Sequence, residues 1–137
     1  MPQTDKMVFA IDFDGTCITI PQDKKKVTDV PHAEDTMKEM TGLGHQIILW
    51  TSREGDALEE AVAWFRKRKI PLLSVNENPN AEGRKIRADI YIDDRALGAP
   101  IEYGAPDEEK EPHLDWHKTR FIIYEKGRGF TKKGEKK

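Results

Sequence analysis

One cysteine, Cys17, stands in 137 residues. No disulfide can form within the chain, which fits a reducing compartment. Long apolar runs are also missing: none approaches the roughly 20 residues that a membrane-spanning helix needs. The start, MPQTDKMVFA, holds no apolar stretch of signal-peptide length. A cytoplasmic protein with no membrane partner is the expectation. Charge of one sign is not in excess, with 23 Lys and Arg against 25 Asp and Glu and a net charge of −2. Nucleic-acid binding by bulk charge is therefore not indicated. The four histidines, His32, His45, His113 and His117, show no zinc spacing and have no cysteine partners, so surface or loop positions are expected for them. No internal repeat is present, and the length is that of one domain.

What the chain does have is order. Four short apolar runs recur, Met7–Ile11, Gln46–Trp50, Leu72–Val75 and Ile90–Ile92. The first is bulky and free of breakers, and reads as a strand buried on both faces. Between the first two runs, Ala33, Met37, Met40 and Leu43 fall on one helical face, with Gly44 as the stop. Between the second and third, Leu58, Ala61, Val62 and Phe65 do the same over Asp56–Lys69. Asp56 with Glu59 resembles a capping box, and Arg66-Lys67-Arg68-Lys69 reads as a basic last turn facing the helix dipole. Strands alternating with helices predict a parallel α/β sheet. A final helix is expected over Leu114–Tyr124, after an acidic loop from Pro106 to Pro112.

Each apolar run ends in polar residues: Asp12-Phe13-Asp14, Thr51-Ser52-Arg53, Asn76, and Asp93-Asp94. Open α/β sheets bind ligands at the carboxyl ends of their strands. Four strands therefore deliver polar groups to one edge. Asp12 and Asp14 lie on the same side of an extended backbone, with Phe13 on the other. One aspartate would suffice to cap or turn, so two of them look like a constructed site.

In their order, FAIDFDGT, ILWTSR, a lysine at Lys85 and IYIDDRA resemble the four motifs of the haloacid dehalogenase superfamily, over most of residues 7–98. The resemblance is closest to its small capless phosphatase-like members, through ILWTSRE, ADIYIDDRALG and a later Asp-Trp pair, here Asp115-Trp116. It implies a Rossmann-like parallel sheet flanked by helices, with no cap domain. Residues 1–125 would form one hydrolase domain, and 126–137 a basic flexible tail. By the resemblance Asp12 is the nucleophile that becomes an aspartyl-phosphate. Mg²⁺ would be held by Asp12, the main-chain carbonyl of Asp14, and Asp94, with Asp93 behind them fixing Lys85. The sequence alone does not separate Asp93 from Asp94, and the resemblance favours Asp94. Asp14 would give a proton to the leaving group and take one from water. Thr51 would donate a hydroxyl hydrogen bond and Lys85 a charge, with Ser52 completing the substrate contacts. Asn76 reads equally as a substrate contact and as a turn former.

Other residues have plainer readings. Cys17 is expected to be a half-buried loop thiol, and Trp50 and Trp64 to be core. Gly15–His32 is too short for a domain, although Ile18–Ile20 and Val27–Val30 can pair as a flap with Gln22–Lys26 at its tip. The lysines Lys24-Lys25-Lys26 there read as a solvated turn. The function expected is a phosphomonoester hydrolase acting on a small phosphorylated metabolite, a sugar phosphate or a nucleotide. A second reading is a polynucleotide 3′-phosphatase, since the phosphatase half of polynucleotide kinase–phosphatases is similar in DxDGT and IDDR. Against it, no aromatic residues are interleaved with basic ones. A third is a non-catalytic phosphate- or partner-binding module on the same fold.

Overall fold

The computed structural model describes residues 6–20, 27–79, 82–103 and 112–125. The lysines 24–26, most of the acidic loop and the basic tail lie outside them. Four strands, β1 (Val8–Ile11), β2 (Gln46–Leu49), β3 (Ser74–Val75) and β4 (Ile90–Ile92), form a parallel sheet in the order β3-β2-β1-β4. A two-stranded antiparallel pair, β5 (Ile101–Glu102) and β6 (His113–Leu114), stands apart from it. The helices are α1 (Ala33–Gly42), α2 (Gly55–Lys67) and α3 (Trp116–Glu125).

The sheet is buried on both faces, as the unbroken apolar runs require, but the two covers differ. Phe9 and Ile11 of β1, with Ile47 and Leu49 of β2, pack against Met37 and Met40 of α1 and Phe65 of α2. Trp116 and Ile123 of α3 join the same cluster. All three helices thus lie on one face. Opposite them, among the described residues, Ala10 and Ile48 pack with Ile86, from the segment that links β3 to β4, and with the partly buried Val8, Leu73 and Ala88.

Topology explains this division. The chain steps from β1 to β2 to β3 in one direction, so α1 and α2 fall on the same side. It then returns past β1 to place β4 on the far side, and the return segment crosses the other face. The strand order reverses between β1 and β4, which is the topological switch point where such sheets bind ligands.

Both early helices end where the chain turns left-handed. Gly44, at φ 95°, ends α1: its N–H bonds the Thr41 carbonyl and that of His45 the Met40 carbonyl. The predicted start of α2 shifts by one residue. Glu54 stands at its N-cap without a side-chain bond, so Asp56 lies inside the first turn rather than capping it. The last helix begins two residues later than expected. Leu114 is held in β6, and Asp115 caps α3 by accepting the Lys118 N–H on Oδ1 at 3.0 Å. No helix among the described residues is long and apolar enough to cross a membrane.

Candidate functional site

The register of β1 with its neighbours sets Ile11 level with Leu49 and with Ile92. Asp12, the Thr51–Arg53 segment and the Asp93-Asp94 pair therefore emerge side by side at the carboxyl end. Asp12 is tied to β4 by its N–H, which bonds the Ile92 carbonyl at 3.0 Å. Carboxylate oxygens of Asp12, Asp93 and Asp94 lie within 4.8 Å of one another. Burial first, then the adjoining Asp94 carboxyl and the Asp93 and Asp94 charges, push Asp12 up to about 8.

The loop after β1 is built to hold this cluster. Gly15 has φ +83°, and a Cβ there would stand 2.3 Å from Asp94 Oδ2. Only glycine lets the Asp94 carboxylate pack against the loop. The Thr16 hydroxyl lies 3.2 Å from Asp12 Oδ2 and 3.1 Å from Asp94 Oδ1, and accepts the Asp94 N–H at 3.2 Å. One hydroxyl proton is shared between two carboxylates, so Thr16 can serve only one of them fully at a time. From below, Trp116 of α3 donates its indole N–H to the Thr16 carbonyl at 2.6 Å, and the Leu114 N–H bonds the Gly15 carbonyl. The Asp-Trp pair read in the sequence thus starts α3 and clamps the loop.

Asp14 does not join the acid cluster. Both of its oxygens are taken by Arg53, with Nε to Oδ2 at 2.9 Å and Nη2 to Oδ1 at 2.7 Å. Arg53 is fixed in turn by the Ala57 carbonyl and lies over the Phe13 ring, 4.8 Å from its centroid. The hydrogen bonds to Asp14 hold its guanidinium charged above its ordinary value. The sequence pattern alone assigns Arg53 no role, and strand pairing brings it to Asp14. With Ile11 level with Leu49 in the parallel pairing, Asp14 three places on and Arg53 four places on leave the same edge of the sheet, one step apart in register.

Thr51 is buried at the end of β2. Its N–H bonds Asn76 Oδ1 at 2.8 Å, and its hydroxyl accepts the Arg53 N–H at 3.1 Å. Asn76 turns the chain at φ 56° and accepts the Thr51 N–H on its carbonyl oxygen. Ser52 is exposed and lines the same cavity as Asp12, Asp14 and Thr51, of about 580 Å³. Lys85 is placed elsewhere. Its ammonium stands 5.7 Å from the centroid of the Tyr91 ring and makes no ion pair with Asp93. Asp93 instead accepts the Arg95 N–H on Oδ1 at 2.8 Å.

Four further expectations change. Trp50 is 38% exposed and lines the cavity rather than the core, whereas Trp64 is core as predicted. His45 and His113 are buried rather than on the surface. Cys17 is fully buried, its thiol pushed up by burial, with Sγ 3.4 Å from the Asp12 carbonyl. The flap is a single bridge between Ile18 and Asp29, with no longer ladder among the described residues.

No family model and no curated protein matches the chain. A solved structure does: a conserved protein coded by a locus of Bacteroides thetaiotaomicron is 33% identical, at a TM-score of 0.67, over 89% of this chain and 93% of that one. The chain belongs to that protein's family. No activity is named for that relative.

Proposed function

We propose that the protein is a magnesium-dependent phosphomonoester hydrolase of the haloacid dehalogenase type, capless and cytoplasmic, working through an aspartyl-phosphate on Asp12. The observation that supports this best is the convergence of Asp12, Asp93 and Asp94 at the switch point of the sheet. Three carboxylates so close repel one another unless a cation or proton sits among them. An all-oxygen set of this kind suits a hard divalent ion, and Asp12, Asp94 and Asp93 are the side chains that would hold Mg²⁺. When bound, the ion would screen the negative charge between Asp12 and an incoming phosphoryl group.

The chain's own residues would do the rest. An Asp12 oxygen attacks phosphorus, and the bond from phosphorus to the leaving oxygen breaks. Asp14 delivers a proton to that oxygen, then accepts one from the water that releases inorganic phosphate and restores Asp12. Arg53 takes one lone pair on each oxygen of Asp14, so the proton would be carried on a lone pair that Arg53 leaves open. The Thr51 hydroxyl hydrogen is free to meet a phosphoryl oxygen, since that hydroxyl accepts rather than donates in its bond with Arg53. Lys85 would have to swing from the Tyr91 ring to take part.

Turnover of p-nitrophenyl phosphate with Mg²⁺ and with chelator tests this, against Asp12→Asn. The expectation is activity only with Mg²⁺ and none in the variant. The melting temperature in chelator should be equal to or above wild type in the variant, because carboxylate crowding is relieved. Near wild-type turnover by Asp12→Asn would end the covalent scheme.

A further inference from the structure

The cavity that holds the acids is not wholly polar. Trp50 and Ile20 line it together with Asp12, Asp14 and Asp93, and so does Arg95. Trp50 follows directly on β2, and its N–H bonds the Ile11 carbonyl at 2.9 Å, one residue before Asp12. The indole is thus carried by a backbone that cannot drift relative to the acid cluster. The packed side of β2 is served by Ile47 and Leu49, and the other by Ile48. Trp50 completes neither cluster. It is 38% exposed, while Trp64 and Trp116 are almost wholly buried and hydrogen-bonded through their indole nitrogens. Among the described residues the Trp50 indole has no hydrogen-bond partner. The indole is therefore available to a ligand ring that enters the cavity.

Charge narrows what can cover it. Arg53 is committed to Asp14, whereas the Arg95 side chain is exposed and forms no ion pair among the described residues. The cavity therefore offers a free guanidinium, an aromatic face and an acid cluster within about 580 Å³, a volume that suits a small molecule. A flat ring stacks on an indole whatever its edge groups.

We propose that Trp50 is the stacking platform for the leaving group, and that the substrate is a mononucleotide-sized phosphomonoester carrying a planar ring rather than a sugar phosphate. This rests on the phosphatase reading above for its orientation, phosphoryl group toward Asp12 and ring toward Trp50. Free nucleotides and nucleotide ends of a strand share the ring, and the free nucleotide is assigned because no aromatic residues interleaved with basic ones are present to track a strand.

Binding tests it without turnover. A nucleoside phosphonate, whose carbon–phosphorus bond resists hydrolysis, is compared with an alkyl phosphonate of equal charge, both with Mg²⁺, by calorimetry and tryptophan emission. The nucleoside compound is expected to bind about tenfold tighter and to quench emission. Trp50→Leu should erase both the preference and the quenching, and Trp50→Phe should keep most of the preference. Equal affinity for the two compounds in wild type, or an undiminished preference in Trp50→Leu, would overturn the assignment. So would an oligonucleotide with the same terminal group binding tenfold tighter than the mononucleotide. A preference that stands while no phosphomonoester is turned over would count against the hydrolase and not against the platform. Turnover of sugar phosphates without ring preference would do the reverse.

Discussion

Gly15 is constrained twice, by its positive φ and by the Asp94 carboxylate that occupies the space of a side chain. Gly15→Ala therefore has two effects of different kinds. The backbone cost is roughly 1–2 kcal/mol for a left-handed alanine, and the methyl group displaces Asp94 from Asp12. The variant is expected to stay folded, a few degrees less stable, and to lose most of the increase in melting temperature that Mg²⁺ gives wild type. An unchanged Mg²⁺ response would mean that Asp94 is not a ligand. At this scale the acids were legible because a carboxylate pair beside a dry strand has few structural uses. The Asp14–Arg53 pair was not, since its partners are 39 positions apart and become neighbours only through strand pairing. Lys85 carries less signal still: a lysine in a charged stretch has no positional mark, and here its ammonium stands beside the Tyr91 ring.

Among the elements, α1 and α2 end in the same way with different residues. In α2 the Lys69 N–H bonds the Arg66 carbonyl and the Ile70 N–H the Phe65 carbonyl, with Lys69 at φ 60°. Gly44 fills the equivalent place after α1 at little conformational cost. Lys69→Gly should accordingly stabilise the protein by roughly 1 kcal/mol, seen as a higher urea midpoint with an unchanged slope. A lower midpoint would show that the lysine side chain offsets its backbone strain. Gly44 announced its helix end in the sequence and Lys69 did not, because only glycine makes the left-handed turn readable. β5 and β6 escaped notice for a related reason. Two residues each are too few for an alternation to appear, and their pairing spans a stretch with no apolar pattern.

For the molecule as a whole, alternating strands and helices were enough to foresee a parallel sheet, and the switch point followed from strand order. What the pattern could not foresee was a histidine inside the core. His45 accepts the Met7 N–H on Nδ1 at 3.1 Å, joining the start of β1 to the turn before β2. Burial, and then the charge of Lys6, lower its pKa from the ordinary 6.5. The folded protein binds this proton less readily than the unfolded chain does. Stability from this site is thus complete above 6.5 and declines as pH falls toward the lowered value. His45→Gln keeps an acceptor for Met7 but cannot titrate, so it should flatten the loss of urea resistance between about pH 7 and about pH 5. An acid limb as steep as that of wild type would place the sensitive group elsewhere. The one-sided placement of the helices also has a kinetic face. Ile86 is the bulky residue over Ala10 and Ile48, and its segment is held by bonds such as Arg87 N–H to Asn78 and Ala88 N–H to Tyr91. That cover can lift without disturbing any helix, so amide hydrogen exchange should be faster at Arg87 and Ala88 than within α1, and through local opening rather than global unfolding. Protection equal to that of α1 would mean the sheet opens on both faces together.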